Sequence, residues 1–102
     1  MANNLMLAYN SKLQSIYKHY QKNQTDDFAV VYQQSNINIS SFPIEAFSNI
    51  DCLHPSLKGH QWLSRFVWNQ LFLDQAFKPR IINYEDNLAI YCPVDSDRIV
   101  IE

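Results

Sequence analysis

The chain of 102 residues is long enough for one small domain, and its content of 47% hydrophobic and 14% aromatic residues is sufficient for a packed core. A formal net charge of −2, without a stripe of Lys and Arg, excludes the nucleic-acid-binding class because nothing would neutralise the phosphates. No run of eighteen apolar residues occurs, so no transmembrane helix is predicted, and the first residues lack the basic and apolar regions of a signal peptide.

Apolar residues at three- and four-residue steps predict an amphipathic helix over residues 4–22, with Asn3 or Asn4 as its cap. The stripe consists of Leu5, Tyr9, Leu13, Ile16 and Tyr20, widened by Met6 and Tyr17. After a polar turn, residues 28–32 form a continuous apolar run of β-formers, typical of a strand covered on both faces in a parallel sheet. A helix followed by such a strand is half of a βαβ unit, which indicates the α/β class.

The connection over residues 33–56 is long but too apolar for disorder, so we expect it to pack over the sheet edge. Residues 57–73 are predicted to form a second helix, with Ser56 as its N-cap. Its apolar face comprises Leu63, Phe66, Val67 and Leu71, with Trp62 beside it. The tail, residues 74–102, is expected to wrap back over the domain, tethered by Cys92.

The sequence Asp51-Cys52-Leu53-His54-Pro55-Ser56, followed by Gly59-His60, places a carboxylate and an imidazole three residues apart, directly before the second helix. The carboxylate can accept a hydrogen bond from one ring nitrogen of His54, which fixes the tautomer and leaves the other nitrogen free to take a proton from a nucleophile. The alternative interpretation is structural: His54 caps the helix and Asp51 is a turn residue.

A metal site from Asp51, His54 and His60 has suitable ligand types, but no helical repeat places the two histidines together and no third strong ligand is spaced nearby. We therefore predict no metal. His60 is interpreted as a hydrogen-bonded residue at the helix boundary.

The motif around Asp51 and His54 resembles the last motif of the SGNH (GDSL) ester hydrolases, and its full form is most similar to the phospholipase B-type lipases. The segment 27–31 also resembles those lipases. The resemblance implies the C-terminal portion of a three-layer α/β/α, flavodoxin-like fold, and it implies no cofactor. It also implies hydrolysis of phospholipids or related lipid esters by a Ser-His-Asp triad, in which Asp51 orients His54 and His54 deprotonates the serine.

The departures from that family are absences. No Gly-Asp-Ser motif occurs, the only glycine is Gly59, and the middle motifs that build the family's oxyanion hole are not found. We therefore expect the C-terminal part of a lipase domain, inactive without the missing N-terminal half. The alternative is a non-catalytic lipase remnant, either an interaction module or a partial gene product.

Cys52 and Cys92 can be two buried free thiols or one disulfide. The resemblance implies the disulfide, because the similar lipases work outside the cell and carry a similar Asp-Cys and Cys-Pro pair. It also implies an extracellular or outward-facing membrane-associated location, with a membrane surface as a contact. The glycosylation sequons at Asn23 and Asn38 add a little support.

Overall fold

The computed structural model describes residues 2–33 and 36–101. These residues form two α-helices, α1 (Ala2–Gln21) and α2 (Leu57–Gln70). Three short 3₁₀ turns lie at Ile39–Ser41, Ile44–Ala46 and Gln75–Phe77. The described residues divide into two compact units, residues 2–33 with 101 and residues 36–100. No helix among them is long and apolar enough to cross a membrane.

In the first unit, the chain turns after α1 and runs back along the C-terminal half of the helix. The N–H of Asn23 donates to the carbonyl of Tyr20 at 2.9 Å. The ring of Tyr20 contacts Phe28 with a centroid separation of 6.1 Å, and Tyr17 stacks on Tyr32 at 5.9 Å. The contacts of the helix are therefore concentrated in its last turns.

The rest of the apolar stripe of α1 is open to solvent. Five of its side chains are between 51% and 62% exposed, namely Leu5, Met6, Tyr9, Leu13 and Ile16. The helix also begins one residue earlier than its expected cap, so Asn3 and Asn4 lie within the first turn. Tertiary packing within this unit therefore stabilises mainly the last turns of the helix.

The structure differs from the sequence-based prediction at residues 28–32, which do not form a strand. Residues 2–33 and 36–101 contain no sheet, only three isolated bridges, of which Thr25–Phe28 closes the turn before this segment. A strand needs neighbours that accept and donate its backbone hydrogen bonds, and the described residues bring none alongside it. The α/β/α architecture remains a prediction.

The core of the second unit is aromatic and is built on α2. Trp62 and Phe66 are 4% and 7% exposed, and their rings stack at 5.2 Å. Phe42 meets Trp62 edge-on at 4.9 Å, and Tyr84 stacks on it at 5.8 Å. Aromatic pairs at these separations add to the hydrophobic effect of burying both rings. Segments on both sides of α2 in the sequence therefore pack on one helix face.

Two segments of the second unit also pair through their backbones. Ile37 and Ile82 form a parallel bridge, in which the N–H of Asn38 donates to the carbonyl of Ile82 at 2.8 Å. The N–H of Ile82 in turn donates to the carbonyl of Asn36 at 2.9 Å. Ile82 is 6% exposed and packs with Trp62 and Phe66. This pairing joins the segment before the Asp51 motif to the tail.

The buried stripe of α2 is rotated relative to the predicted face. Its buried residues are Gly59, Trp62, Phe66 and Gln70. Val67, expected on the apolar face, is 51% exposed, whereas Trp62 lies at the centre of the core. Hydropathy alone favours burial of Val67 over burial of Gln70. The direction from which the tail approaches decides which side of the helix is covered.

The tail does return to the domain, although Cys92 does not tether it. The side chain of Asn69 holds it from both sides, donating to the carbonyl of Ala89 at 2.7 Å and accepting from the N–H of Tyr91 at 2.8 Å. The indole N–H of Trp68 donates to the carbonyl of Tyr91 at 2.9 Å. Polar side chains at the C-terminal end of α2 therefore fix the tail.

Candidate functional site

The residues around Asp51 and His54 form a closed loop, which we call the dyad loop (residues 47–55). Phe47 and Pro55 pair as an antiparallel bridge at its base. The N–H of Ser48 donates to the carbonyl of His54 at 2.7 Å. The N–H of Ser56 donates to the carbonyl of Ala46 at 2.9 Å. These backbone hydrogen bonds bring the two ends of the loop together, so the residues between them have a defined geometry.

Helix α2 begins at the base of this loop. Ser56 caps the helix, because its hydroxyl accepts from the N–H of Gly59 at 3.3 Å and donates to the carbonyl of Glu45 at 2.5 Å. Gly59 has no side chain to separate the helix from the 3₁₀ turn Ile44–Ala46. A Cβ at this position would collide with the carbonyl oxygen of Ala46. The only glycine of the sequence therefore permits the close approach that seats the dyad loop on α2.

Asp51 organises the tip of the loop. One carboxylate oxygen, Oδ1, accepts from the backbone N–H groups of Leu53 and His54 at 3.0 and 3.1 Å. This pattern is an Asx turn, in which a side chain replaces a backbone acceptor. Cys52, which lies between Asp51 and Leu53, has a φ of 55°, the left-handed conformation that the tight turn requires. The turn leaves the other carboxylate oxygen free to meet the imidazole.

The second oxygen, Asp51 Oδ2, lies 2.5 Å from His54 Nδ1. The imidazole, together with the N–H groups of Leu53 and His54, stabilises the ionised carboxyl and lowers the pKa of Asp51 below its usual value of 3.8. An ionised carboxylate only accepts hydrogen bonds, so Nδ1 carries the proton. His54 Nε2 is then a lone-pair acceptor pointing away from Asp51.

The dyad is accessible to a reactant. The side chains of His54 and Asp51 are 75% and 41% exposed. Within the described residues, nothing donates a hydrogen bond to His54 Nε2. An oriented imidazole with a free, exposed nitrogen can act as a general base towards a hydroxyl that is brought to it.

The structure does not bring a nucleophile to that nitrogen within residues 2–33 and 36–101. The nearest serines in sequence have structural tasks: Ser48 Oγ accepts from the N–H of Ile50 at 3.2 Å, and Ser56 caps α2. His60 donates its backbone N–H to the carbonyl of Ser56 and does not join the dyad. No cluster of three metal-binding side chains occurs in the described part of the chain.

The structure lacks the disulfide that the family resemblance implies, since Cys52 and Cys92 are both free and exposed. The packing gives the reason. Cys52 belongs to the loop at the N-terminal end of α2, whereas Tyr91, beside Cys92, is bonded to Asn69 at the C-terminal end. The thirteen residue steps from Ser56 to Asn69 span about 20 Å of helix. A disulfide requires Cα atoms within about 7 Å.

Sequence reasoning identified Asp51 and His54 but overlooked the residue that closes the loop. Ser48 holds it at three points, through its N–H to His54, its carbonyl to Cys52 at 2.8 Å, and its hydroxyl to Ile50. The sequence carries a signal for this role. A serine hydroxyl often accepts from the backbone N–H two residues later in a turn, as Ser48 does from Ile50.

Comparison with curated proteins finds a similarity to "Phospholipase B1, membrane-associated" of Homo sapiens, 26% identical over 96 residues. The match covers 88% of this chain and 7% of the human protein, so the chain spans a small part of the length of that relative. No protein-family model matches, and no solved structure matches. The similarity supports a lipase-related region in this chain.

Proposed function

We propose that this chain is the C-terminal part of a GDSL-type lipase domain, in which Asp51 and His54 are the acid and base of a Ser-His-Asp triad. The observation that carries the proposal is the 2.5 Å contact between Asp51 Oδ2 and His54 Nδ1 on an exposed loop. The partial similarity to a phospholipase supports the assignment to a lipase. The substrates would be acyl esters of phospholipids or related lipids.

In this mechanism, His54 Nε2 takes the proton of a serine hydroxyl as the serine attacks the ester carbonyl, and then returns that proton to the leaving alcohol. Asp51 keeps the imidazole in the Nδ1–H tautomer and stabilises the imidazolium. The serine and the oxyanion donors come from a segment outside these 102 residues, since the sequence has no Gly-Asp-Ser motif. The isolated chain is then inactive.

The first experiment tests the base in the longer protein. The transcript is read upstream, in frame, for a Gly-Asp-Ser motif, and the encoded protein is assayed on a lipid ester. We expect His54→Ala to lower kcat by about 10⁶-fold and Asp51→Asn by about 10⁴-fold. His60→Ala is the matched control, because His60 contributes only a backbone hydrogen bond here, and its activity should be unchanged.

Two outcomes would overturn parts of the proposal. A full-length transcript without Gly-Asp-Ser, whose product hydrolyses no ester, would indicate a non-catalytic remnant. Hydrolysis by the isolated chain that disappears in His54→Ala would show that a serine within these residues is the nucleophile.

The second experiment needs no activity. Nitrogen NMR of the isolated chain reports which ring nitrogen of His54 carries the proton at neutral pH. We expect the Nδ1–H tautomer in the wild type and a return to the ordinary mixture in Asp51→Ala. A wild-type imidazole that is already a mixture would contradict the assigned role of Asp51.

A further inference from the structure

The most exposed apolar side chains are concentrated around the dyad loop. Five large apolar residues among those described are more than 70% exposed, and four of them lie between positions 44 and 57. We call these four the apolar rim: Ile44 (75%), Ile50 (91%), Leu53 (71%) and Leu57 (76%). Single exposed apolar residues are ordinary on protein surfaces, but a cluster in one short segment marks an interaction site.

Two rim residues adjoin the dyad on the same loop. Ile50 immediately precedes Asp51, and Leu53 immediately precedes His54. Ile44 and Leu57 lie at the two roots of the loop, where they line a cavity of about 670 Å³ together with Phe47 and Pro55. An apolar surface that covers Ile50 and Leu53 would therefore lie beside the dyad that the same loop carries.

The charge of this segment indicates the kind of surface. No Lys or Arg occurs between Lys22 and Lys58, and the acidic residues from 44 to 57 are Glu45 and Asp51. Lys58, which follows Leu57, is paired with Asp86 at 3.6 Å. Attraction to anionic lipids requires basic residues near the contact. The rim can therefore gain affinity from burying aliphatic groups, and anionic headgroups would add none.

We propose that the apolar rim inserts into the surface of a zwitterionic phospholipid membrane and holds His54 at the lipid–water boundary. His54 is 75% exposed and, in the proposed function, must be reached by an ester as well as by the serine, so a protein partner that covered Ile50 and Leu53 would block the access of the ester. A lipid surface delivers that ester instead. The role of His54 in this statement rests on the proposed function, whereas membrane binding itself requires no nucleophile.

The test is flotation of the full chain with phosphatidylcholine vesicles. The double variant Ile50→Ser/Leu53→Ser should partition about 10- to 100-fold more weakly, because two aliphatic side chains no longer gain from burial among the acyl chains. Phe77→Ser/Ile81→Ser is the matched control, because these residues are 73% and 65% exposed and lie outside the rim. That variant should bind like the wild type.

Helix α1 is the rival membrane contact, since it combines an exposed apolar stripe with Lys12 and Lys18 and has no acidic residue. Leu5→Ser/Ile16→Ser should leave binding to phosphatidylcholine unchanged. Loss of binding in this variant with retention in the rim variant would overturn the proposal. Equal partitioning of the rim variant and the wild type would do so as well.

Salt and lipid charge provide an independent readout. Binding should vary little between about 0.1 M and about 1 M salt, where the screening length falls from about 10 to about 3 Å. Addition of phosphatidylserine should not strengthen it. A binding that appears only with anionic vesicles, and disappears in salt, would contradict rim insertion.

Two controls distinguish membrane binding from catalysis and from loss of the folded structure. His54→Ala should still bind vesicles, so a failed esterase assay leaves the membrane test intact. The single variant Ile50→Ser should give an intermediate loss with unchanged helical circular dichroism, which shows that weaker binding does not reflect unfolding. A full loss of binding in His54→Ala would contradict a purely apolar contact.

Discussion

The dyad loop and helix α1 maintain their conformations by different means. The loop is closed by backbone hydrogen bonds between Ser48 and His54 and between Ala46 and Ser56, and it is seated on the buried face of α2. Helix α1 has a longer apolar stripe, but Leu13 and Ile16 are about half exposed. Hydrogen bonds within a dozen residues can therefore fix a reactive pair, whereas an apolar helix face is stabilised only by a surface that covers it.

The largest loss of stability is expected from a substitution in the aromatic core on α2. Trp62→Ala should lower the free energy of unfolding by about 3–5 kcal/mol, because it removes a buried ring that contacts Phe42, Phe66 and Tyr84. Leu13→Ala in α1 should change it by no more than about 0.5 kcal/mol. Urea titration followed by circular dichroism measures both.

A loss of that size can abolish folding of a small unit, so Phe66→Leu provides a milder core variant in the same titration. If Leu13→Ala is as damaging as either core variant, α1 is covered in solution and the contrast between the two regions is wrong.

The next effect concerns the contact between α2 and the 3₁₀ turn Ile44–Ala46. In Gly59→Ala the new Cβ collides with the carbonyl of Ala46 and lies 3.1 Å from Cβ of Pro55. Overpacking costs about 1–3 kcal/mol and exceeds the gain of about 1 kcal/mol in helix propensity. We expect a net loss of stability and a shift of the His54 NMR signals.

Gln61→Ala, on the exposed side of the same helix, is the control for Gly59→Ala and should be nearly neutral. A Gly59→Ala chain that is more stable than the wild type would show that the turn moves away without cost.

A smaller loss is expected from the cap between loop and helix. Ser56→Ala removes an acceptor for the N–H of Gly59 and a donor to Glu45, and should destabilise α2 by about 0.5–2 kcal/mol. Ser64→Ala, which loses only a bond to Gln61 of its own helix, should change stability by less than about 0.5 kcal/mol. Equal effects in the two variants would argue against a specific role for the cap.

The smallest effect is the pH response of the dyad loop. The pKa of Asp51 is lowered by His54 and by two backbone N–H groups, so its contribution to stability is present above the unfolded value near 3.8 and is lost as the pH falls through the folded value. The backbone N–H signals of Leu53 and His54, which donate to Asp51 Oδ1, should therefore show a transition in acid. Asp51→Asn should remove this response.

Asp97 serves as an internal reference for that titration. The N–H of Val94 and the hydroxyl of Tyr91 lower its pKa in the same direction. NMR titration of the carboxyl carbons should place both midpoints below 3.8. An Asp51 midpoint at or above that value would mean that the dyad is not formed in solution.

The sequence is most informative where contacts are local. Asp51 and His54 are three residues apart, and the turn that joins them uses only side chains and backbone groups between those positions. The cap at Ser56 is equally local, which is why residue type and spacing identify it. Helix α2 ends at Gln70, three residues earlier than the apolar pattern predicts, because Leu71 already belongs to the following turn.

The differences between the sequence-based predictions and the structure concern contacts between distant segments. The run 28–32 is strand-like in composition, but whether it forms a strand depends on neighbours that the residues themselves do not specify. The expected disulfide is absent from the structure for a similar reason, since the bonds of Asn69 to Ala89 and Tyr91 place the tail at the far end of α2 from Cys52.

The sequence by itself therefore determined two helices and the pairing of Asp51 with His54, because backbone propensity and hydrogen bonds over three or four residues act within each segment. Tertiary structure alone decided that Ala46 approaches Gly59, that Ile37 pairs with Ile82, and that Trp62 is central to the core. These contacts form when segments far apart in the chain bury a common apolar surface, so they depend on the whole packing arrangement.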